Sequence, residues 1–227
     1  MELYQDTLLD LLNPGARDGT KLLIKRDQKG AVFVEGSETR AAGSAEDLSA
    51  AFTQGLEGRK VAATKMNSES SRSHLIFTIF LEVTNATVGT RASSKVTFVD
   101  LAGSERVARS GAINDKDRLD EARAINKSLS ALGDVVAALT AGESFVPYRN
   151  HKLTQLMSDS LGGNAKTLMI VNVSPVEDDA PETKNSLEYA NRVKQVKNEN
   201  SRSFETREIQ KLKAEIAKLK SRKASPQ

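Results

Sequence analysis

The chain has 227 residues, 38% hydrophobic and 28% charged, enough apolar content for a packed core of ordinary domain size, which excludes wholesale disorder. It has no Cys and two widely spaced histidines, His74 and His151, so disulfides, thiolate metal sites and a zinc spacing are excluded. No apolar run approaches the ~18 residues of a membrane span, and the N-terminus lacks a basic-then-apolar leader, so the sequence reads as soluble and intracellular. The formal charge of +3 is asymmetric: from residue 192 onward eleven Lys or Arg face four Glu, giving +7 and leaving −4 for residues 1–191. A basic end on a mildly acidic body suits an acidic partner surface, or else a merely solvated helix.

In chain order, residues 1–4 read as the end of a strand. Residues 7–12 (TLLDLL) read as a short helical turn broken by Asn13-Pro14-Gly15. Residues 21–25 and 31–35 are two short strands. Ser44 opens a helix with Asp47 as its capping partner and an apolar face of Leu48, Ala51, Phe52 and Leu56. Residues 74–83 and 95–101, rich in β-branched and aromatic residues, predict neighbouring strands joined near Gly89. A long helix covers 118–140, with Ala122, Ile125, Leu129, Leu132, Val136 and Leu139 on one face and Gly142 as its stop. A helix follows over about 150–160, ending at Gly162-Gly163, then a buried strand at 167–173 closed by Ser174-Pro175, then a helix near 181–196. Residues 205–223 carry Ile209, Leu212, Ile216 and Leu219 in a/d spacing among cations, two heptads of coiled-coil pattern. Strands alternating with helices predict an α/β layered fold.

Two strings carry chemistry. NSESSRSH (67–74) gathers small polar residues around one arginine, directly before an apolar strand. Hydroxyls, backbone N–H groups and a guanidinium in one loop suit a phosphate and its Mg²⁺; a Ser/Asn loop capping the strand is the plain alternative. VDLAGSER (99–106) sets an Asp and then a Gly at the end of an apolar strand, the layout in which the Asp reaches Mg²⁺ through water and the Gly N–H faces a γ-phosphate.

The pair NxxSSRSH and DLAGSE resembles the switch I and switch II motifs of kinesins. The resemblance continues through INKSLSALG (125–133), VPYRNHKLTQLMSDSLGGNAKT (146–167), NVSP (172–175) and NSLEYANRVK (185–194), and covers about residues 1–197. ELYQDTLLDLL and MSDSLGGNAKTLM look most like the C-terminal-motor kinesins, among them the kinesin-like calmodulin-binding proteins. The resemblance implies the C-terminal portion of a P-loop NTPase-type motor domain over 1–197, a mainly mixed sheet flanked by helices, with 198–227 as a basic neck or tail helix. It implies a microtubule-based motor in the cytoplasm, using ATP and Mg²⁺, with no nucleic-acid or membrane partner. By position, Ser71 and Asp100 would hold Mg²⁺, Asn67 and Ser70 would line the same pocket, and the Gly103 amide would sense the γ-phosphate. Arg72 and Glu105 would form the salt bridge that closes the switches, with Glu105 relaying a proton. Lys127, Phe145, Arg149, His151 and Lys152 would face tubulin.

The sequence departs from the family in one respect: it contains no GxxxxGK[ST] and no Gly-Lys dipeptide. The cradle for the α- and β-phosphates is therefore not among these residues. Met1 reads as an internal methionine of a longer chain, and a sheet lacking its first strands would expose an edge and apolar surface. The alternative reading is a non-catalytic microtubule-binding module that has lost hydrolysis. The helix at 205–223 lies where the calmodulin-binding subgroup binds its calcium sensor, but it has no Trp and includes Glu208 and Glu215.

Overall fold

The computed structural model describes residues 1–13, 21–28, 30–66, 70–85, 90–103, 116–163 and 165–198, with backbone alone at 60–66, 70, 85, 90–92 and 116–119. The chain forms two compact units: residues 1–134 with 147–156, and residues 135–146 with 157–227. The expected basic helix at 205–223 lies outside the described residues.

The first unit is built on a four-stranded sheet in the order β2-β1-β5-β6. Its strands are β1 (Glu2–Tyr4), β2 (Thr7–Leu9), β5 (Ser73–Asn85) and β6 (Thr90–Asp100), and every pairing is antiparallel. The β5–β6 ladder runs from Leu75↔Asp100 to Asn85↔Thr90, as the two β-branched runs predict. β3 (Leu23–Arg26) and β4 (Val32–Glu35) form a separate hairpin, tied to β6 by the Lys95 ammonium on the Val32 carbonyl at 3.1 Å.

Residues 7–12 are a strand and a turn, not the expected helical turn. Six residues gain too little from one helical turn to nucleate it, whereas Thr7–Leu9 satisfies its backbone against β1 through a two-residue turn with Gln5 at φ 53°. Asp10 then fixes the exit: its carboxylate accepts the Leu12 amide at 3.0 Å and the Glu38 amide at 2.6 Å.

Helix α1 (Ala45–Met66) begins where its cap predicts: the Asp47 amide donates to Ser44 Oγ, and the Ser44 amide donates back to Asp47, each at 3.1 Å. Its apolar face is only partly covered. Phe52 meets Phe77 of β5 edge-on at 5.1 Å, and Phe77 stacks on Phe98 of β6 at 6.3 Å. α2 (Lys116–Ala141) is the predicted long helix. Residues 138–143 close it: Gly142 at φ 68° donates to Leu139 O, and Glu143 donates to Ala138 O, a Schellman ending.

The expected helix at 150–160 is shorter. A 3₁₀ turn at Tyr148–Asn150 leads into α3 (Lys152–Leu156), because His151 sits in extended backbone between them and the Thr154 hydroxyl is spent on the Tyr148 and His151 carbonyls.

In the second unit, α4 (Ala180–Lys194) follows Glu177, Asp178 and Asp179 and ends with Arg192 and Lys194, charges that complement its dipole. Residues 167–173 are not the expected buried strand: they have no ladder partner among the described residues, and Leu168 and Ile170 are 86% and 77% exposed. A strand is a property of a pair, so an apolar run without a neighbouring edge stays unladdered. β6 likewise carries the outer edge of its sheet, with Phe98, and Phe80 and Val83 of β5, exposed.

Two glycines of α1 should respond to alanine with opposite sign. A Cβ at Gly58 would stand 2.5 Å from the Leu11 carbonyl oxygen, while one at Gly55 would meet nothing within 4 Å. Gly58→Ala should therefore destabilise by about 1–3 kcal/mol through backbone overpacking. Gly55→Ala should stabilise by up to about 1 kcal/mol through helix propensity. Urea melts of both variants check this; equal shifts would contradict the close approach of α1 to Leu11.

Candidate functional site

The two chemical strings meet at one end of β5 and β6. Pairing of Leu75 with Asp100 brings the end of β6 beside the start of β5, and the preceding 3₁₀ turn, Ser70–Arg72, lies against the segment after Asp100. The Gly103 amide donates to the Ser71 carbonyl at 2.9 Å, so one backbone bond joins the two motif segments.

Below that bond lies His74, buried on β5. The Ala102 amide, which can only donate, bonds Nδ1 at 3.0 Å, so Nδ1 is the acceptor and the ring proton resides on Nε2. Nε2 then donates to Ser128 Oγ of α2 at 2.8 Å, and that hydroxyl donates to Ile125 O at 2.7 Å. Burial, with a smaller contribution from His151, pushes the His74 pKa down to about 4. The imidazole is therefore a neutral link between the segment after Asp100 and α2.

Charged side chains surround this link. Arg59 of α1 reaches Glu2 Oε1 at 3.0 Å, the Ser73 carbonyl at 3.3 Å and Ser73 Oγ at 3.1 Å. It stands 3.7 Å from the Asp100 carboxylate, which is 71% exposed. The buried Glu2 pair is the stronger of the two, since an exposed ion pair is screened. Arg72 Nη1 donates to Glu121 Oε2 of α2 at 2.6 Å, and the Tyr4 hydroxyl donates to Glu121 Oε1. Burial, and then the bond to Glu121, raises the Tyr4 pKa.

Of the residues singled out by the sequence, the structure brings Ser71, Arg72, Asp100 and Gly103 to this end of the sheet. Ser71 is exposed. The Gly103 amide is engaged by Ser71 O. Ser70 is described by backbone alone, and Asn67 and Glu105 lie outside the described residues.

The proposed partner face is uneven. Lys127 of α2 and Arg149 are exposed, and so is Phe145 in the second unit. Lys152 donates its ammonium to the Asp6 carbonyl, which gives a first-turn lysine a local role. His151 is buried and accepts the Leu153 amide on Nδ1 at 3.1 Å. It caps α3 in this structure, and its ring is not available to a surface partner.

Sequence reasoning missed Arg59, Glu121, Tyr4 and Ser128. A single helical arginine carries no signal. Glu121 and Ser128 carried a faint one: they are seven apart, two turns along one helix face, beside an apolar stripe.

The kinesin motor domain family model matches residues 1–196. The kinesin-like protein KIN-14E of Arabidopsis thaliana is 53% identical over 217 residues, which cover 96% of this chain and 17% of that protein. A solved fast kinesin matches with a TM-score of 0.79 at 42% identity, over 88% of this chain and 56% of the other. A chain from the solved structure of the C-terminal motor and motor homology domain of Kar3Vik1 matches with a TM-score of 0.71 at 38% identity, over 85% of this chain and 49% of the other. The chain belongs to the kinesin family, with C-terminal-motor kinesins among its relatives, and it spans about half the length of the solved motor chains.

The neutral buried His74 sets an acid dependence. A histidine whose folded pKa lies below its unfolded value of ~6.5 leaves stability intact above that value. As pH falls from about 6.5 toward about 4 the unfolded chain takes up a proton that the folded chain refuses, and stability declines by roughly 1 kcal/mol per pH unit. His74→Gln should flatten that decline between pH 6.5 and 5, measured by denaturant titration at each pH. An unchanged slope would mean that His74 is not the group responsible.

Proposed function

We propose that this chain supplies the switch segments and the tubulin-facing surface of an ATP-driven microtubule motor. The observation that carries the proposal is the Gly103–Ser71 backbone bond, which joins the DLAGSE segment to the SSRSH segment in a chain of the kinesin family. Bound Mg·ATP supplies the phosphoryl group to be hydrolysed, with the metal neutralising its charge.

The residues fit that group. The exposed Asp100 carboxylate suits Mg²⁺, which keeps several waters and is held by one or two carboxylates plus phosphate oxygens. Ser71 would join Asp100 on the metal, with Asn67 and Ser70 lining the same pocket. The Gly103 N–H is spent on Ser71 O here, so sensing a γ-phosphate requires it to exchange that acceptor for a phosphate oxygen. Arg72 would pair with Glu105 when the switches close, and the Glu105 carboxylate would take a proton from the attacking water. The microtubule face would be α2 with Lys127, together with Phe145, Arg149 and Lys152. His151 would support α3 from beneath. Such a protein works in the cytoplasm on the microtubule cytoskeleton. A calcium sensor at 205–223 would be a further partner, and the a/d spacing there suits a short coiled coil.

The test is turnover. The 227-residue chain alone should hydrolyse ATP negligibly, with or without microtubules, because it holds no P-loop to grip the β- and γ-phosphates. A motor domain completed with the upstream half of the Arabidopsis relative should hydrolyse ATP and be stimulated by microtubules. In that motor Glu105→Ala should abolish turnover while fluorescent-nucleotide titration still gives ATP affinity within about threefold of wild type. A completed motor that binds microtubules but never hydrolyses ATP would establish the non-catalytic module instead.

The partner face has its own test. Lys152 is tied to Asp6 O, so Arg149 is the freer cation of the two for an acidic surface. Arg149→Ala in the completed motor should weaken microtubule co-sedimentation severalfold at low salt and flatten its salt dependence, as expected when a screened contact is lost. Co-sedimentation unchanged at both low and high salt would remove Arg149 from the interface.

A further inference from the structure

We infer that Glu121, held by Tyr4, is the positioning residue that sets where the Arg72 guanidinium sits, and so links helix α2 to the arginine of the SSRSH segment. The inference rests on the motor reading for its consequence, though the geometry stands without it.

Arg72 closes the Ser70–Arg72 turn and leads directly into β5. Its side chain is 14% exposed and that of Glu121 8%, with Nη1 to Oε2 at 2.6 Å. This is a charge-assisted bond withdrawn from water, short and directional. The other carboxylate oxygen accepts the Tyr4 hydroxyl, so both oxygens of Glu121 are engaged. The carboxylate cannot swing toward or away from Arg72 without giving up the phenol.

Tyr4 in turn cannot move freely. It lies on β1, in register with Ser73 of β5, the residue after Arg72. The sheet therefore fixes the phenol, the phenol fixes the carboxylate, and the carboxylate fixes the guanidinium. Seven residues along the same helix, Ser128 meets His74, which accepts the Ala102 amide. One face of α2 thus touches both motif segments: the first through charge at Glu121, the second through a neutral chain at Ser128. A small displacement of α2 would reach Arg72 through the shortest of these bonds.

A buried ion pair also supports folding, and removing one partner leaves the other uncompensated. The test must separate that role from positioning. Glu121→Gln keeps the shape and one acceptor oxygen while removing the charge, and Tyr4→Phe removes only the hydroxyl. In the completed motor, Glu121→Gln should lower microtubule-stimulated kcat about tenfold or more, with KM for ATP within about threefold. Tyr4→Phe should shift kcat the same way by a smaller factor. In an Arg72→Ala background, Glu121→Gln should add less than about twofold, because the group it positions is gone. Wild-type kcat in Glu121→Gln, or losses that multiply across the two sites, would overturn the inference.

A second readout uses the 227-residue chain and does not depend on hydrolysis. Amide exchange at Ser71, Arg72 and Ser73 should quicken at least about tenfold in Glu121→Gln, while exchange in the β5–β6 ladder stays within about twofold of wild type. Uniform quickening throughout the sheet, or none at the turn, would overturn the inference even in a chain that hydrolyses nothing. Absence of turnover in the completed wild-type motor, by contrast, counts against the motor reading alone.

Discussion

The arrangement of the motif segments depends on how the first residues of β5 are held. Ser73 and His74 are both buried polar residues, and a buried polar group must find partners or cost the fold several kcal/mol. Ser73 donates to Glu2 at 2.5 Å and receives Arg59. His74 receives the Ala102 amide and donates to Ser128. Those four partners come from β1, α1, the segment after β6 and α2. Four elements are thereby gathered around two adjacent residues, and their positions follow from satisfying them.

The same economy explains why charge is concentrated at this end of the sheet. Glu2, Arg59, Arg72 and Glu121 would each be unfavourable alone out of water, yet each stands in a hydrogen-bonded pair. Asp100 differs. Its carboxylate is largely exposed and only loosely approached by Arg59, which leaves it open to a cation in a way the buried carboxylates are not. Solvation thus separates Asp100 from the paired, buried Glu2 and Glu121.

The exposed apolar surface has a physical reading of its own. Leu168 and Ile170, with Phe98 on the sheet edge, would stabilise a core if covered. Among the described residues they face water.

Sequence alone determined the elements that local physics governs. The capped start of α1, the Gly142 ending of α2, the existence of α4 and the β-branched β5–β6 pair were all legible, because caps, periodicity and turn residues act within a few positions of one another. So were the motif strings and, through them, the family. The tertiary structure decided whatever required two distant residues to meet. Thr7–Leu9 of TLLDLL became a strand because β1 offered an edge, and TLMIVNV has no ladder partner among the described residues. Helix α3 starts only at Lys152 because His151 is held in extended backbone and caps the Leu153 amide. Arg72 found Glu121, 49 residues away, and Glu121 found Tyr4 at a separation of 117. No spacing rule reaches across such distances; only the closing of the sheet onto α2 brings those groups within hydrogen-bonding range.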